Sequence, residues 1–162
     1  MVMSTEIDVW EVLETVKDPE IPAVSVVDLG IIEKIEVTDA RVKVTALPTF
    51  VGCPALEIIK IDIETALSNV GMEPEVVFVF DPPWTTDRIT PQGKTRLQEY
   101  GLAPPTGKAP AGHVRLTLLA PGKCPYCHSK DTTLESPFGP TLCRATSYCN
   151  SCRNPFEQFK PV

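Results

Sequence analysis

Four of the six cysteines fall in two Cys-x-x-Cys pairs, Cys124 with Cys127 and Cys149 with Cys152. Each pair can bring two thiolates onto one ion, and a hairpin within residues 128–148 would return the chain to complete a tetrahedron. A closed set of four thiolates leaves no open coordination position, so the metal would be structural. The spacing therefore predicts a zinc ribbon, with two independent redox dithiols as the alternative.

Cys53 lies outside these pairs, between Gly52 and Pro54 at the start of a long apolar-striped segment. Proline is favoured in the first turn of a helix, which predicts Cys53 as the N-cap and Pro54 as the first helical residue. A thiol there faces unpaired N–H groups and the positive end of the helix dipole, which favour the thiolate. We expect a reactive thiol and a soft-metal ligand, unless Cys53 only caps the helix.

No histidine accompanies Cys53 in the N-terminal part of the chain, because the two histidines are His113 and His128. A Cys–His nucleophile would have to be built across domains, which argues against an ordinary thiol hydrolase. Three carboxylates in apolar or proline-rich surroundings are candidate metal ligands or general bases, with turn formation as the alternative: Asp18, Glu20 and Asp28. Cys143 is either a packed small apolar residue or an auxiliary thiol beside the zinc site.

The apolar periodicity predicts an α+β domain with the element order α-β-β-α-β-α and its helices on one face of a sheet. The first elements are a helix from a Thr5/Asp8 capping box to near Lys17 and a hairpin over 31–47. They are followed by a helix from Pro54 to about Asn69 capped by Gly71, a strand in "EVVFVF" and a helix ending at Gly101.

A segment rich in proline, glycine and alanine, "APPTGKAPAGH", shows no apolar period and marks a domain boundary. We predict a first domain over 1–103, a linker over 104–113 and a zinc ribbon over 114–162, with Phe156 and Phe159 in its small core. Residues 1–106 carry 8 basic and 18 acidic side chains, whereas residues 107–162 carry 7 and 3. The acidic body would repel a phosphate backbone, so nucleic-acid binding is not expected.

No run of about 18 apolar residues occurs, so no membrane span is expected. The N-terminal residues have no basic region of the secretory type. We therefore expect a cytoplasmic protein, in which paired cysteines point to metal binding rather than to disulfides.

The stretch "DPEIPAVSVVDLGII" and the motif Thr49-x-x-x-Cys53-Pro54 resemble the SufT-like iron–sulfur assembly domain family. The stretch "DPPWTTDRITPQGKTRLQEYGLAPP" and the ribbon motifs "SPFGPTLC" and "NPFEQFK" narrow the resemblance to the PaaD-type accessory proteins of the bacterial phenylacetyl-CoA epoxidase system. It implies a non-enzymatic role in maturing an iron–sulfur reductase or an oxygenase component, with Cys53 as the functional thiol and Asp28 in the family's turn motif. The ribbon ligands would be the four paired cysteines.

One cysteine cannot hold a [2Fe–2S] cluster, whose ligands are normally four thiolates. Any transient iron or cluster would therefore need a homodimer, the client's cysteines or Cys143. A non-catalytic docking subunit of the epoxidase complex is the first alternative function. A zinc-ribbon nucleic-acid binder and a thiol enzyme are more distant ones.

Overall fold

The computed structural model describes residues 6–50, 52–105 and 120–161, with side chains from Val9 onward. The predicted capping box and most of the predicted linker lie outside these residues. The helices are α1 (Glu6–Thr15), α2 (Ala55–Asn69) and α3 (Pro91–Glu99), with a short 3₁₀ turn at Thr86–Arg88. The strands are β1 (Ile32–Thr38), β2 (Arg41–Ala46), β3 (Glu73–Phe78), β4 (Leu102–Ala103), β5 (Thr132–Ser136), β6 (Arg144–Cys149) and β7 (Pro155–Phe159). The predicted α+β class and the element order of the N-terminal part are confirmed.

The described residues divide into two compact units, one of 6–84 with 88–93 and one of 85–87 with 94–161. In the first unit, the sheet has the order β1-β2-β3, with β1 antiparallel and β3 parallel to the central strand β2. Helices α1 and α2 pack on each other, and α2 packs on β3. A parallel neighbour requires a crossover connection, which α2 supplies.

The core of the first unit follows the two periodicities of its sequence. Strand β2 buries every second residue, and α2 buries Ile59, Ile63 and Leu67 at spacings of four. Burying each of these aliphatic side chains contributes about 2 kcal/mol. The helix prediction is confirmed to within one residue at its start. Facing the sheet removes the apolar stripe of α2 from water, which stabilises the helix in this position.

Gly71 ends α2, as the sequence predicts. Its φ is 86°, and its N–H donates to the carbonyl of Ser68 (3.0 Å) while the N–H of Met72 donates to that of Leu67 (3.2 Å). These two bonds form a Schellman motif, which satisfies carbonyls that the helix itself leaves unpaired.

The second unit contains a four-stranded sheet with the order β4-β7-β6-β5. The short strand β4, which the sequence analysis does not predict, runs parallel to β7, and the other pairs are antiparallel. Phe156 and Phe159 are buried, as predicted for the ribbon core. Among the helices described here, none has the length and apolar character needed to cross a bilayer.

We predict that Gly30→Ala destabilises the first unit much more than Gly71→Ala. Both glycines have a positive φ, 64° and 86°, but a Cβ at Gly30 would overlap the carbonyl of Arg88, whereas at Gly71 it meets open space. The expected losses are about 3 kcal/mol and about 1 kcal/mol. Urea unfolding followed by tryptophan fluorescence measures both, and equal losses would contradict the steric argument.

Candidate functional site

Cys53 lies at the end of the loop that leads into α2. Its N–H donates to the carbonyl of Phe50 (3.2 Å), and its own carbonyl accepts the N–H of Leu56 (3.3 Å). Gly52 before it has a φ of 80°, and a Cβ there would meet nothing within 4 Å. The glycine therefore supplies a positive φ rather than a close backbone approach. The thiol is half-buried.

The N-cap of α2 is Pro54 rather than Cys53, so the prediction is wrong by one residue. Pro54 has a φ of −67° and a ψ of −17°, which are already helical, and no side-chain hydrogen bond caps the helix at this residue. The first residue of α2 is therefore Ala55, one later than predicted, even though the proline ring already fixes φ of residue 54 in the helical range. The N–H of Ala55 nevertheless acts to lower the pKa of the Cys53 thiol.

The predicted preference of Cys53 for its thiolate form is also wrong. Burial raises the pKa of Cys53 above the ordinary value of a thiol, the N–H of Ala55 opposes this shift, and the charges of Glu20 and Asp18 add to it. The N–H of the first helical turn does lower the pKa of Cys53, as expected at a helix start. Burial and the two negative charges raise the pKa by more. The resting side chain is a protonated thiol beside two carboxylates.

Asp18 forms the turn that brings these carboxylates to Cys53. Its Oδ1 accepts the N–H groups of Glu20 and Ile21, both at 2.8 Å, and its side chain is buried. Glu20 is half-buried on the same turn. The charges of Asp18 and Glu20 thus act on Cys53, although both residues lie more than 30 positions before it in the sequence.

Asp28 is a turn residue in this structure. Its Oδ2 accepts the N–H of Ser25 (2.9 Å), and its own N–H donates to the Oγ of Ser25 (3.0 Å), so the two residues cap each other. The side chain is buried. Of the two interpretations left open for Asp28, the structure supports turn formation. Thr49, the other motif residue, is half-buried on the loop before Cys53.

Three consecutive carbonyls of this turn receive donors from the segment after β3. The N–H of Thr90 reaches the carbonyl of Asp28 (2.9 Å), the indole Nε1 of Trp84 reaches that of Leu29 (2.8 Å), and Nε of Arg88 reaches that of Gly30 (2.9 Å). No pattern in the sequence assigns a role to Trp84 or Arg88. A tryptophan directly after two prolines was the available signal, since its polar edge needs a partner when it is buried.

The four paired cysteines converge on one point in the second unit. The Sγ atoms of Cys124 and Cys152 lie 3.6 Å apart, those of Cys127 and Cys149 lie 3.5 Å apart, and all four fall within 4.8 Å of one another. Zinc bound tetrahedrally at about 2.3 Å from each sulfur would place the sulfurs about 3.8 Å apart. The distances fit such an ion and far exceed a disulfide bond of about 2.05 Å.

The two cysteine pairs share one backbone geometry. The N–H of His128 donates to the carbonyl of Cys124 (3.0 Å), and that of Arg153 donates to the carbonyl of Cys149 (2.9 Å). His128 and Arg153 both take a positive φ, 61° and 59°. Each pair thus forms the tight turn that the spacing predicts, with both thiols on one side.

The cluster also favours deprotonation at one sulfur. The side-chain amide of Asn154 lowers the pKa of Cys152 to about 6 against the effect of desolvation, helped by the thiols of Cys149 and Cys124. The N–H of Ser129 favours the thiolate of Cys127, but desolvation and the neighbouring sulfurs together raise the pKa of Cys127 to about 12. A thiolate present near neutral pH would be available as a metal ligand, and a bound metal would favour deprotonation of the remaining thiols.

Gln158, which the sequence analysis also missed, anchors the chain segment before the first pair. Its Oε1 accepts the N–H of Gly122 (2.7 Å), and its Nε2 donates to the carbonyl of Ala120 (2.8 Å). Cys143 is buried beside the hydroxyl of Thr141 (3.1 Å) and is not one of the four clustered sulfurs. Its role as a packed small residue is consistent with this position.

Comparison with known proteins matches both units to families. The family model described as "Iron-sulfur cluster assembly protein" matches residues 6–78, and "PaaD zinc beta ribbon domain" matches residues 111–160. The "Fe-S protein maturation auxiliary factor" of Porphyromonas gingivalis is 36% identical over 59% of this chain and 92% of its own length. A solved domain of unknown function, DUF59 from Bacillus anthracis, is 31% identical with a TM-score of 0.53, over 57% of this chain and 90% of its own.

Fold and site together define a protein with an iron–sulfur cluster assembly domain followed by a zinc beta ribbon. An Escherichia coli protein, named as one of the subunits of a "Putative 1,2-phenylacetyl-CoA epoxidase", is 40% identical over 96% of this chain and 92% of its own length. The chain belongs to the PaaD family.

We predict that Glu20→Gln lowers the pKa of Cys53 and accelerates its alkylation by iodoacetamide severalfold near neutral pH. Removing an anion beside the thiol removes one of the causes that disfavour the thiolate, which is the form that reacts. The rate is read by mass spectrometry on the peptide carrying Cys53. Glu11→Gln, a change at an exposed residue of α1, is the matched control, and the same rate in both variants would refute the electrostatic argument.

Proposed function

We propose that the chain is an accessory factor that assists insertion of iron or an iron–sulfur cluster into a component of a phenylacetyl-CoA epoxidase system. The proposed client is the iron–sulfur reductase or the oxygenase component, and the iron or cluster is cargo. The observation that carries this proposal is the half-buried Cys53 thiol at the mouth of α2, beside the carboxylates of Asp18 and Glu20. The nearly full-length match to the Escherichia coli epoxidase protein and the matches to maturation factors support it.

The electrostatics of Cys53 suit a cargo contact better than catalysis. Two anions that disfavour a free thiolate attract a cation, so an arriving iron centre would displace the thiol proton and be favoured by the same carboxylates. Until then the thiol stays protonated and resists oxidation, since oxidation requires the thiolate. The protein is therefore not proposed to turn over a substrate, in line with relatives named auxiliary factors.

One thiol per chain sets the stoichiometry of such a contact. A [2Fe–2S] cluster takes four thiolates, so the client's cysteines or a second copy of this chain must supply the others. We propose transient contact during transfer rather than storage, with a homodimer as the assembly that provides a second Cys53. The reducing cytoplasm is the proposed location, because Cys53 must stay a free thiol.

We further propose that Cys124, Cys127, Cys149 and Cys152 hold a structural zinc ion. The distances among their sulfurs fit a tetrahedral ion, and four thiolates leave no position for a substrate. The buried cluster around them is small, consisting of Ala103, Cys124, Cys149 and Phe156 with Cys152 packed against it. A module this short buries a smaller fraction of its surface than a larger domain, and zinc would supply part of its folding free energy.

A docking subunit is the second candidate, and the raised pKa of Cys53 favours it. A thiol that is protonated at rest and half-buried at the start of a helix can be purely structural. In that function the chain would contribute surfaces to the epoxidase complex, and Cys53 would only help to start α2.

We predict that Cys53→Ala, coexpressed with the epoxidase and its reductase, lowers the iron and sulfide content of the purified client by about tenfold, a loss comparable to that of a group which supports a metal site. Cys143→Ala is the matched control, since it removes a thiol that lies outside the cysteine cluster. Full loading of the client with Cys53→Ala would overturn the maturation function and favour the docking subunit.

We predict that the chain binds one zinc ion and that Cys149→Ser unfolds the second unit. Losing one of four thiolates leaves an incomplete ligand set around a buried sulfur position. Metal analysis and near-ultraviolet circular dichroism measure the two effects, with Cys143→Ser as the control that keeps zinc. Retention of zinc and of the tertiary signal by Cys149→Ser would rule out a four-cysteine structural site.

A further inference from the structure

Trp84 connects the turn at residues 25–30 to the loop that carries Cys53. Its indole Nε1 donates to the carbonyl of Leu29 (2.8 Å), and only 5% of its surface is exposed. Its ring centroid lies 6.4 Å from that of Phe50, with the two planes inclined by 47°. This distance lies within the range of stabilising aromatic pairs.

Phe50 also contacts Cys53, through its backbone carbonyl. The carbonyl of Phe50 accepts the N–H of Cys53 at 3.2 Å, and the carbonyl of Cys53 in turn accepts the N–H of Leu56 in the first turn of α2. Gly52, with its positive φ, lies between the two residues. Phe50 thus contacts Trp84 through its ring and Cys53 through its backbone carbonyl.

Trp84 stands outside both family matches, which cover residues 6–78 and 111–160. It nevertheless groups with the first unit, as do residues 88–93, which bind the same turn. The segment after β3 therefore completes the assembly domain of this chain beyond the part that the family model describes.

We propose that Trp84 is a positioning residue for Cys53. Its indole fixes the Phe50 ring against the turn at 25–30, and this contact keeps the Cys53 thiol half-buried at the mouth of α2. The inference rests on the proposed function, because it assigns Trp84 to the site through which cargo would pass.

The test measures the rate at which iodoacetamide alkylates Cys53 in the full-length, zinc-loaded protein, read by mass spectrometry on the Cys53 peptide. Trp84→Leu removes the aromatic pair, and we expect alkylation to accelerate about 2- to 10-fold, the range that the loss of such a pair corresponds to. Trp84→Phe keeps a ring beside Phe50 but loses the indole N–H, and we expect it to remain within about twofold of the unmodified protein. Trp10→Phe, at the second tryptophan of the chain, is the matched control.

An unchanged rate in Trp84→Leu would overturn the proposal, as would equal acceleration in Trp84→Phe and Trp84→Leu. If Trp84→Leu does not fold, Phe50→Leu removes the same contact from the other side, and an unchanged rate there overturns the proposal as well. Because alkylation is measured without a client, the proposal is tested separately from the maturation function. A client with full iron and sulfide content after coexpression with Cys53→Ala would contradict the proposed maturation function. The alkylation rates would still decide whether Trp84 positions Cys53.

Discussion

The first unit depends on three consecutive carbonyls that the turn at residues 25–30 cannot satisfy by itself. The segment after β3 supplies a donor to each of them. The N–H of Thr90 donates to the carbonyl of Asp28, and the indole of Trp84 donates to that of Leu29. The guanidinium of Arg88 donates to the carbonyl of Gly30. An unpaired buried carbonyl costs about as much as a lost hydrogen bond, so turn and segment must fold together. The close approach of Arg88 explains why residue 30 is a glycine.

This arrangement places the candidate site at the junction of three separate pieces of chain. The turn at 18–21 provides two carboxylates, the loop at 48–53 provides the thiol, and Trp84 links that loop to the turn at 25–30. Each piece has a local structural role, yet their proximity creates the unusual electrostatics of Cys53. Burial, and to a lesser extent the neighbouring anions, keep this thiol protonated until a cation arrives, a property that suits the proposed cargo contact.

The ribbon is a short module, in which folding buries a smaller fraction of the surface than in a larger domain. Both cysteine pairs use the same turn, with a positive φ at the residue that follows the second cysteine. The buried amide of Gln158 fixes the backbone ahead of the first pair, and β7 carries both that amide and the aromatic core. Backbone geometry on both sides thus directs the four thiols toward one point, where a bound ion would complete the site.

Sequence patterns were sufficient for the features that depend on neighbours a few residues away. The helix over 55–69, the end of that helix at Gly71, the β1–β2 hairpin and the two cysteine turns follow from local periodicity and spacing, and the structure confirms them. The protonation of Cys53 and the importance of Trp84 emerged only from the folded arrangement, which also decided between the two interpretations of Asp28 that the sequence leaves open. A pKa depends on charge and burial in space, and Glu20 lies 33 positions from Cys53 while Trp84 lies 55 from Leu29. Local patterns carry no information about such distant neighbours, so the helix-end argument alone predicted the wrong charge state for the central thiol.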